Sequence, residues 1–139
     1  MPAIALADSL RVALVRMGRR MRRERADENL SLHHLSALGA MQALEEPTLA
    51  RIAAAECVKP PSMVKTLQHL ESLGYVERSD HPSDGRMVIF RISAKGEQMI
   101  GETRERRNRA LASAIEQLSA EDHAALERAV PIIERLAEQ

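Results

Sequence analysis

Residues 49–93, LARIAAAECVKPPSMVKTLQHLESLGYVERSDHPSDGRMVIFRIS, constrain this chain more than any other stretch. Thr48 is placed to cap a helix over Leu49–Glu56, since its hydroxyl can take one of the free first-turn N–H groups. Cys57-Val58-Lys59 then forms a turn. Pro60 and Pro61 open a second helix, where a missing N–H costs nothing, and Gly74 closes it. Val76 begins a strand, and His81-Pro82-Ser83-Asp84-Gly85 supplies a polar, turn-forming loop. The return strand alternates, predicting Val88, Phe90 and Ile92 on one face and Met87, Ile89 and Arg91 on the other. Helix, turn, helix and hairpin in that order make a winged helix-turn-helix, a device that sets one helix in a DNA groove and a loop beside it. The expected fold class is therefore mainly α with a small β-wing.

The rest of the chain reads as helical scaffolding. Leu10, Leu14, Met17 and Met21 form one stripe of a long first helix. Asn29 or Ser31 caps a second, whose buried side takes Leu35, Leu38, Met41 and Ala43–Leu44, and which stops at Glu45-Glu46-Pro47 because the residue before proline avoids helical angles. Ser93 caps a helix running to about Leu118, and its polar middle, Glu102–Arg109, is expected to cross exposed space. Ser119 and Asp122 resemble a capping box for a last helix striped by Leu126, Val130 and Ile133. Pro131 inside that stripe predicts a kink or break. The expected organisation is an N-terminal dimerisation helix (1–30), a winged helix-turn-helix DNA-binding region (31–93) and C-terminal dimerisation helices (94–139). The apolar stripes at the two ends would pack across a two-fold axis into a homodimer.

Formal net charge is zero, with 45% hydrophobic and 29% charged residues, which fits a globular chain. The charge is nonetheless segregated. Seven arginines lie between Arg11 and Arg25 with only Glu24 among them, and residues 59–69 hold two lysines and no acid. Phosphate responds to local potential within about 8–10 Å, so a neutral total does not exclude nucleic acid. No membrane-length apolar run or signal-peptide order is present, pointing to the cytoplasm. No Ser/His/Asp set, paired carboxylates or phosphate-cradling glycine loop stands at usable spacing, so no enzyme and no cofactor are expected. His33 and His34 are adjacent and should diverge by about 100° on a helix, which argues against a shared metal. Cys57, the single cysteine, is either a redox-sensitive thiol beside the DNA-facing turn or a small buried apolar residue.

On the second helix of the motif, Met63, Leu67 and Leu70 form the buried stripe. Pro61, Val64, Lys65 and Gln68 face away, flanked by Ser62 and His69. Gln68 can pair with adenine, Lys65 with guanine or phosphate, Val64 with a thymine methyl, and Ser62 with phosphate or a base edge. Lys59 adds a backbone contact. At the wing, Arg86 suits a narrow minor groove, with Asp84 holding it in position. A small-molecule effector site, if built, would sit between this region and the terminal helices, bordered by Met17, Met21, His34 and Met41.

The chain resembles the MarR family of bacterial transcriptional regulators over essentially its whole length. The matching segments are LSLHHLSALGAM, VKPPSMVKTLQHLESLGYVER and the wing SDHPSDGRMVIFRISAKG with its Asp-x-Arg tip. The resemblance implies a triangular homodimer joined through its terminal helices. It also implies palindromic operators and, often, release of DNA on binding a small molecule or on oxidation. Repression is expected more often than activation, because a dimer seated on a promoter obstructs polymerase. The family usually has Thr or Ser where Val64 stands and Arg where His69 stands, and its peroxide sensors carry their cysteine on the first helix. The competing reading is a winged helix used for protein contact, an antirepressor that does not bind DNA.

Overall fold

The computed structural model describes all of residues 1–139. Six helices and one hairpin follow in the order α1 (Ala3–Arg22), α2 (Leu32–Ala43), α3 (Leu49–Ala55), α4 (Pro60–Ser72), β1 (Val76–Asp80), β2 (Val88–Ile92), α5 (Ala94–Ile115) and α6 (Ala120–Ala137). This is the mainly helical winged fold that the sequence predicts. The two strands pair antiparallel from Val76 opposite Ile92 to Asp80 opposite Val88.

Local chemistry fixes several of the boundaries. Thr48 accepts the Arg51 N–H at 3.3 Å, Ser93 accepts from Gly96 at 3.0 Å, and Ser119 accepts from Asp122 at 3.1 Å. Helix α4 ends in a Schellman pair: the Gly74 N–H reaches Glu71 O and the Tyr75 N–H reaches Leu70 O, with Gly74 at φ 80°. Helix α3 ends in the same way, its bonds running from Cys57 to Ala54 O and from Val58 to Ala53 O. The left-handed residue there is Cys57, at φ 55°.

One core holds the winged region together. Leu30, Leu38 and Met41 meet Ile52 of α3, Met63, Leu67 and Leu70 of α4, and Tyr75, Val76 and Phe90 of the wing, with Met99 of α5 closing one side. Helices α1 and α6 bury no residue. Leu14, Met17, Leu126, Val130 and Leu136 stay exposed there.

Four expectations need correction. Strand β2 does not alternate cleanly: Ile89 and Phe90 are 0% and 6% exposed, whereas Val88 is 38% exposed. The strand packs against α2, α3 and α5, and the adjacent Ile89 and Phe90 point to opposite faces, so both faces are covered in part, while the Phe90 N–H bond to Pro47 O at 2.9 Å closes the strand's outer edge. The polar middle of α5 is exposed at Glu102, Arg104, Glu105, Arg106, Asn108 and Arg109, but it is not bare along its whole length. Thr103, 3% exposed, accepts the Ala26 N–H at 3.0 Å, and Arg106 donates to Arg25 O at 3.1 Å, so the α1–α2 connection is docked on it. Helix α6 runs through Pro131 without a break. Pro131 and Glu127 are both exposed, so the carbonyl freed four residues back can turn to water. Finally, His33 and His34 do not diverge. Their ring centroids are 4.3 Å apart, because both bend back to the Ser31 hydroxyl at the helix start, each Nδ1 lying 2.8 Å from it.

Candidate nucleic-acid interface

Helix α4 is oriented by what it buries. Met63, Thr66, Leu67 and Leu70 turn into the core, so Pro61, Ser62, Lys65 and Gln68 face out, with Val64 half-buried beside them. Lys59, the N-cap, is exposed ahead of the two prolines. The outward set therefore carries two ammonium groups, an amide and a hydroxyl, with no carboxylate between positions 59 and 69. Such a face can hydrogen-bond base edges and phosphates without like-charge repulsion.

His69, on the shoulder of α4, is engaged within the protein. Its Nε2 lies 3.0 Å from Asn29 O, and its ring stacks on His34 with centroids 4.4 Å apart. His34 accepts the Ser31 N–H through Nδ1 at 3.0 Å, filling the place of the glutamate in an ordinary capping box. Burial, then the neighbouring His33 and His69, push its pKa down to about 4. An uncharged imidazole that accepts at Nδ1 carries its proton on Nε2.

At the wing tip Asp84 accepts the backbone N–H of Arg86 at 3.1 Å. The carboxylate fixes the turn through the main chain, which differs from the side-chain hold that the sequence suggests. Both residues sit on the loop between β1 and β2, with Arg86 exposed. On α1 and its C-cap, Arg16, Arg19, Arg20 and Arg23 cluster on one exposed surface with Glu24.

The four residues expected to border an effector site are not brought together. Met21 lines a cavity of about 260 Å³ between α1, α2 and α5, with Leu35, Gln42, Ile100, Arg104 and Arg107. Met17 lies in a separate apolar groove with Leu111, Ile115, Leu118 and Leu126. Met41 is core, and His34 borders a third hollow beside Ser62 and Lys65. Sequence reasoning missed Arg104 and Arg107, whose signal is their spacing with Ile100 and Thr103 along one face of α5. Cys57 is exposed, not core, since its left-handed position in the turn turns the side chain outward.

A sequence model of the MarR family matches residues 30–88. An HTH-type transcriptional regulator of Mycobacterium tuberculosis is 31% identical over 134 residues, 96% of this chain and 94% of that one. Among solved structures, a Pseudomonas aeruginosa protein superimposes with a TM-score of 0.86 at 29% identity, covering 98% of this chain and 96% of that one. The S. aureus protein MepR, solved bound to an oligodeoxyribonucleotide, shares the fold with a TM-score of 0.72 at 16% identity over 96% of each chain. The core-anchored α4, the wing and these relatives agree: the chain belongs to the MarR family and is a DNA-binding helix-turn-helix transcriptional regulator.

Proposed function

We propose that the protein works as a homodimeric repressor that seats two copies of α4 in successive major grooves of a palindromic operator. The outward face of α4 carries this reading: a carboxylate-free set of donors held rigidly on a packed stripe. Ser62, Val64, Lys65 and Gln68 read bases, Pro61 and His69 lie against the same groove, and Lys59 binds backbone. Arg86 enters the adjacent minor groove, with Asp84 shaping the turn that presents it. MepR in complex with an oligodeoxyribonucleotide supports this use of the fold.

Dimerisation is supported by the apolar groove of Met17, Leu111, Ile115, Leu118 and Leu126 and by the exposed Val130 and Leu136. Residues 1–30 and 94–139 supply the dimer, and 31–93 supply the reading region. The cavity beside Met21 suits a small amphipathic anion as effector. It joins apolar Leu35 and Ile100 to Arg104 and Arg107, and the buried Nε of Arg107 has no protein partner. A regulator of this kind works beside the chromosome, in the cytoplasm, and no helix of the chain is long and apolar enough to cross a membrane.

Selection of bound duplexes from a random pool tests the reading, comparing the native chain with Arg86→Ala. The expected result is a palindrome with half-sites about one helical turn apart, bound more weakly by the variant. No enrichment at low salt would sink the proposal and favour a protein-contact role.

A further inference from the structure

We propose that His81 is the positioning residue of the wing: its two ring nitrogens tie the tip that carries Arg86 to the helix-turn-helix at Glu46. It thereby sets where the wing meets DNA. The inference rests on the reading of Arg86 as a groove contact.

The loop from His81 to Met87 has little backbone bonding of its own. His81 N–H reaches Met87 O and Met87 N–H reaches Asp84 O, each at 3.1 Å. Beyond the Asp84 carboxylate, which accepts the Arg86 N–H, the histidine side chain supplies the rest. Nδ1 accepts the backbone N–H groups of Ser83 and Asp84, both at 3.1 Å, so the ring acts as the hub around which the tip is wound. On the opposite side Nε2 lies 3.0 Å from the Glu46 carboxylate. Accepting at Nδ1 and donating at Nε2 is possible only for the Nε2–H tautomer, so both bonds specify one form of the ring. The side chain is 8% exposed although its loop is polar, which marks it as part of the packing and not of the solvated rim.

The far end of the tie is itself anchored. Arg51 donates to the same Glu46 oxygen at 2.8 Å and to the Glu46 carbonyl at 3.2 Å. That carbonyl also accepts the Thr48 N–H at 2.9 Å, and Thr48 caps α3, the first helix of the helix-turn-helix. The next carbonyl, Pro47 O, holds Phe90 of β2. A continuous path of contacts therefore runs from the α3 cap through Glu46 and His81 to the Asp84 amide. From there it passes through the Asp84 carboxylate to the backbone of Arg86. Without His81 the tip keeps its strands and loses its registration against α3 and α4.

Two conservative changes separate the halves of the tie. His81→Asn keeps an acceptor near Nδ1, as in an Asx-turn, and gives up Glu46. His81→Gln keeps a donor near Nε2 and gives up the loop amides. The assay is equilibrium binding to duplex DNA selected by the native chain, with the native protein, these two variants, His81→Ala, Arg86→Ala and the His81→Ala/Arg86→Ala double variant. His81→Ala is expected to weaken binding about tenfold, in line with the loss of two or three hydrogen bonds that order the tip. Asn and Gln should each recover part of it. In the Arg86→Ala background the His81→Ala effect should vanish, because a positioning residue has nothing left to position.

A fully additive double variant, or unchanged binding by His81→Ala while Arg86→Ala binds weakly, would overturn the proposal. Unchanged binding by Arg86→Ala would overturn the groove reading and this inference together. Nitrogen-15 spectra of the free protein give an independent check: the Nε2–H tautomer at His81 is required, and an Nδ1–H tautomer refutes the tie whatever DNA does.

Discussion

Replacing Gly96 by alanine should destabilise the protein, although the same change elsewhere on α5 should stabilise it. Gly96 lies in the first turn of α5, where it donates to Ser93 Oγ at 3.0 Å. A Cβ added there would stand 2.3 Å from Tyr75 O and 2.7 Å from Ile92 Cγ2. The carbonyl cannot step aside cheaply, because it accepts the Ser93 N–H at 2.9 Å while Ser93 Oγ also donates to Gly74 O at 2.6 Å. Overpacking costs about 1–3 kcal/mol and a disturbed cap about 1 kcal/mol more, against a gain of about 1 kcal/mol in helix propensity. The expected net loss is about 1–3 kcal/mol. At Gly101 nothing lies within 4 Å of an added Cβ, so Gly101→Ala should gain about 0.5–1 kcal/mol. Urea unfolding at one fixed protomer concentration reads both signs, since any self-association makes the midpoint depend on concentration. Equal or increased stability in Gly96→Ala would refute the close approach of α5 to the end of α4.

His34, whose pKa is pushed down to about 4 against 6.5 unfolded, contributes stability that is present above about pH 6.5 and is lost as pH falls toward 4. Discounted for solvent screening, the loss is about 1–2 kcal/mol; His34→Gln keeps the capping acceptor and should flatten unfolding midpoints measured from pH 4 to 7. Cys57→Gly should raise stability by about 1 kcal/mol by relieving a left-handed side chain, and a lower thermal midpoint would contradict this. The Tyr75 hydroxyl donates to Asp27, holding that carboxyl below its usual range, so Tyr75→Phe should cost about 1–2 kcal/mol near neutral pH. Asp27 contributes stability above pH 3.8 that is lost in stronger acid; acid unfolding of Tyr75→Phe should begin at a higher pH, and an unchanged acid limb would count against the bond.

Elements that announce themselves through local chemistry were legible in the sequence. Thr48, Pro60, Gly74, Ser93 and Ser119 set boundaries within a residue or two, and the Met63–Leu67–Leu70 stripe fixed which face of α4 looks outward. What stayed hidden depends on contacts distant in sequence. Thr103 reads as one polar residue among many until the backbone of Ala26 is laid on it, 77 residues away. His81 reads as a turn residue until Glu46 closes on its other nitrogen. The methionines misled for the opposite reason. An unbranched apolar side chain fits a core, a groove or a cavity wall equally well, so Met17, Met21 and Met41 share a residue type and no common site.

Salt dependence decides whether the α1 arginines touch DNA. If only Lys59, Lys65 and Arg86 of each protomer meet phosphate or groove, a dimer places six cations on the duplex. Counterion release then predicts a slope of log K against log salt of about −5. Engaging Arg16, Arg19, Arg20 and Arg23 as well would add eight cations and drive the slope beyond about −10. A titration from about 50 to 200 mM salt on the selected duplex separates the two, with Arg19→Ala/Arg20→Ala as control. A steep native slope that relaxes in this control would show that α1 reaches phosphate and that α4 and the wing are only part of the DNA surface.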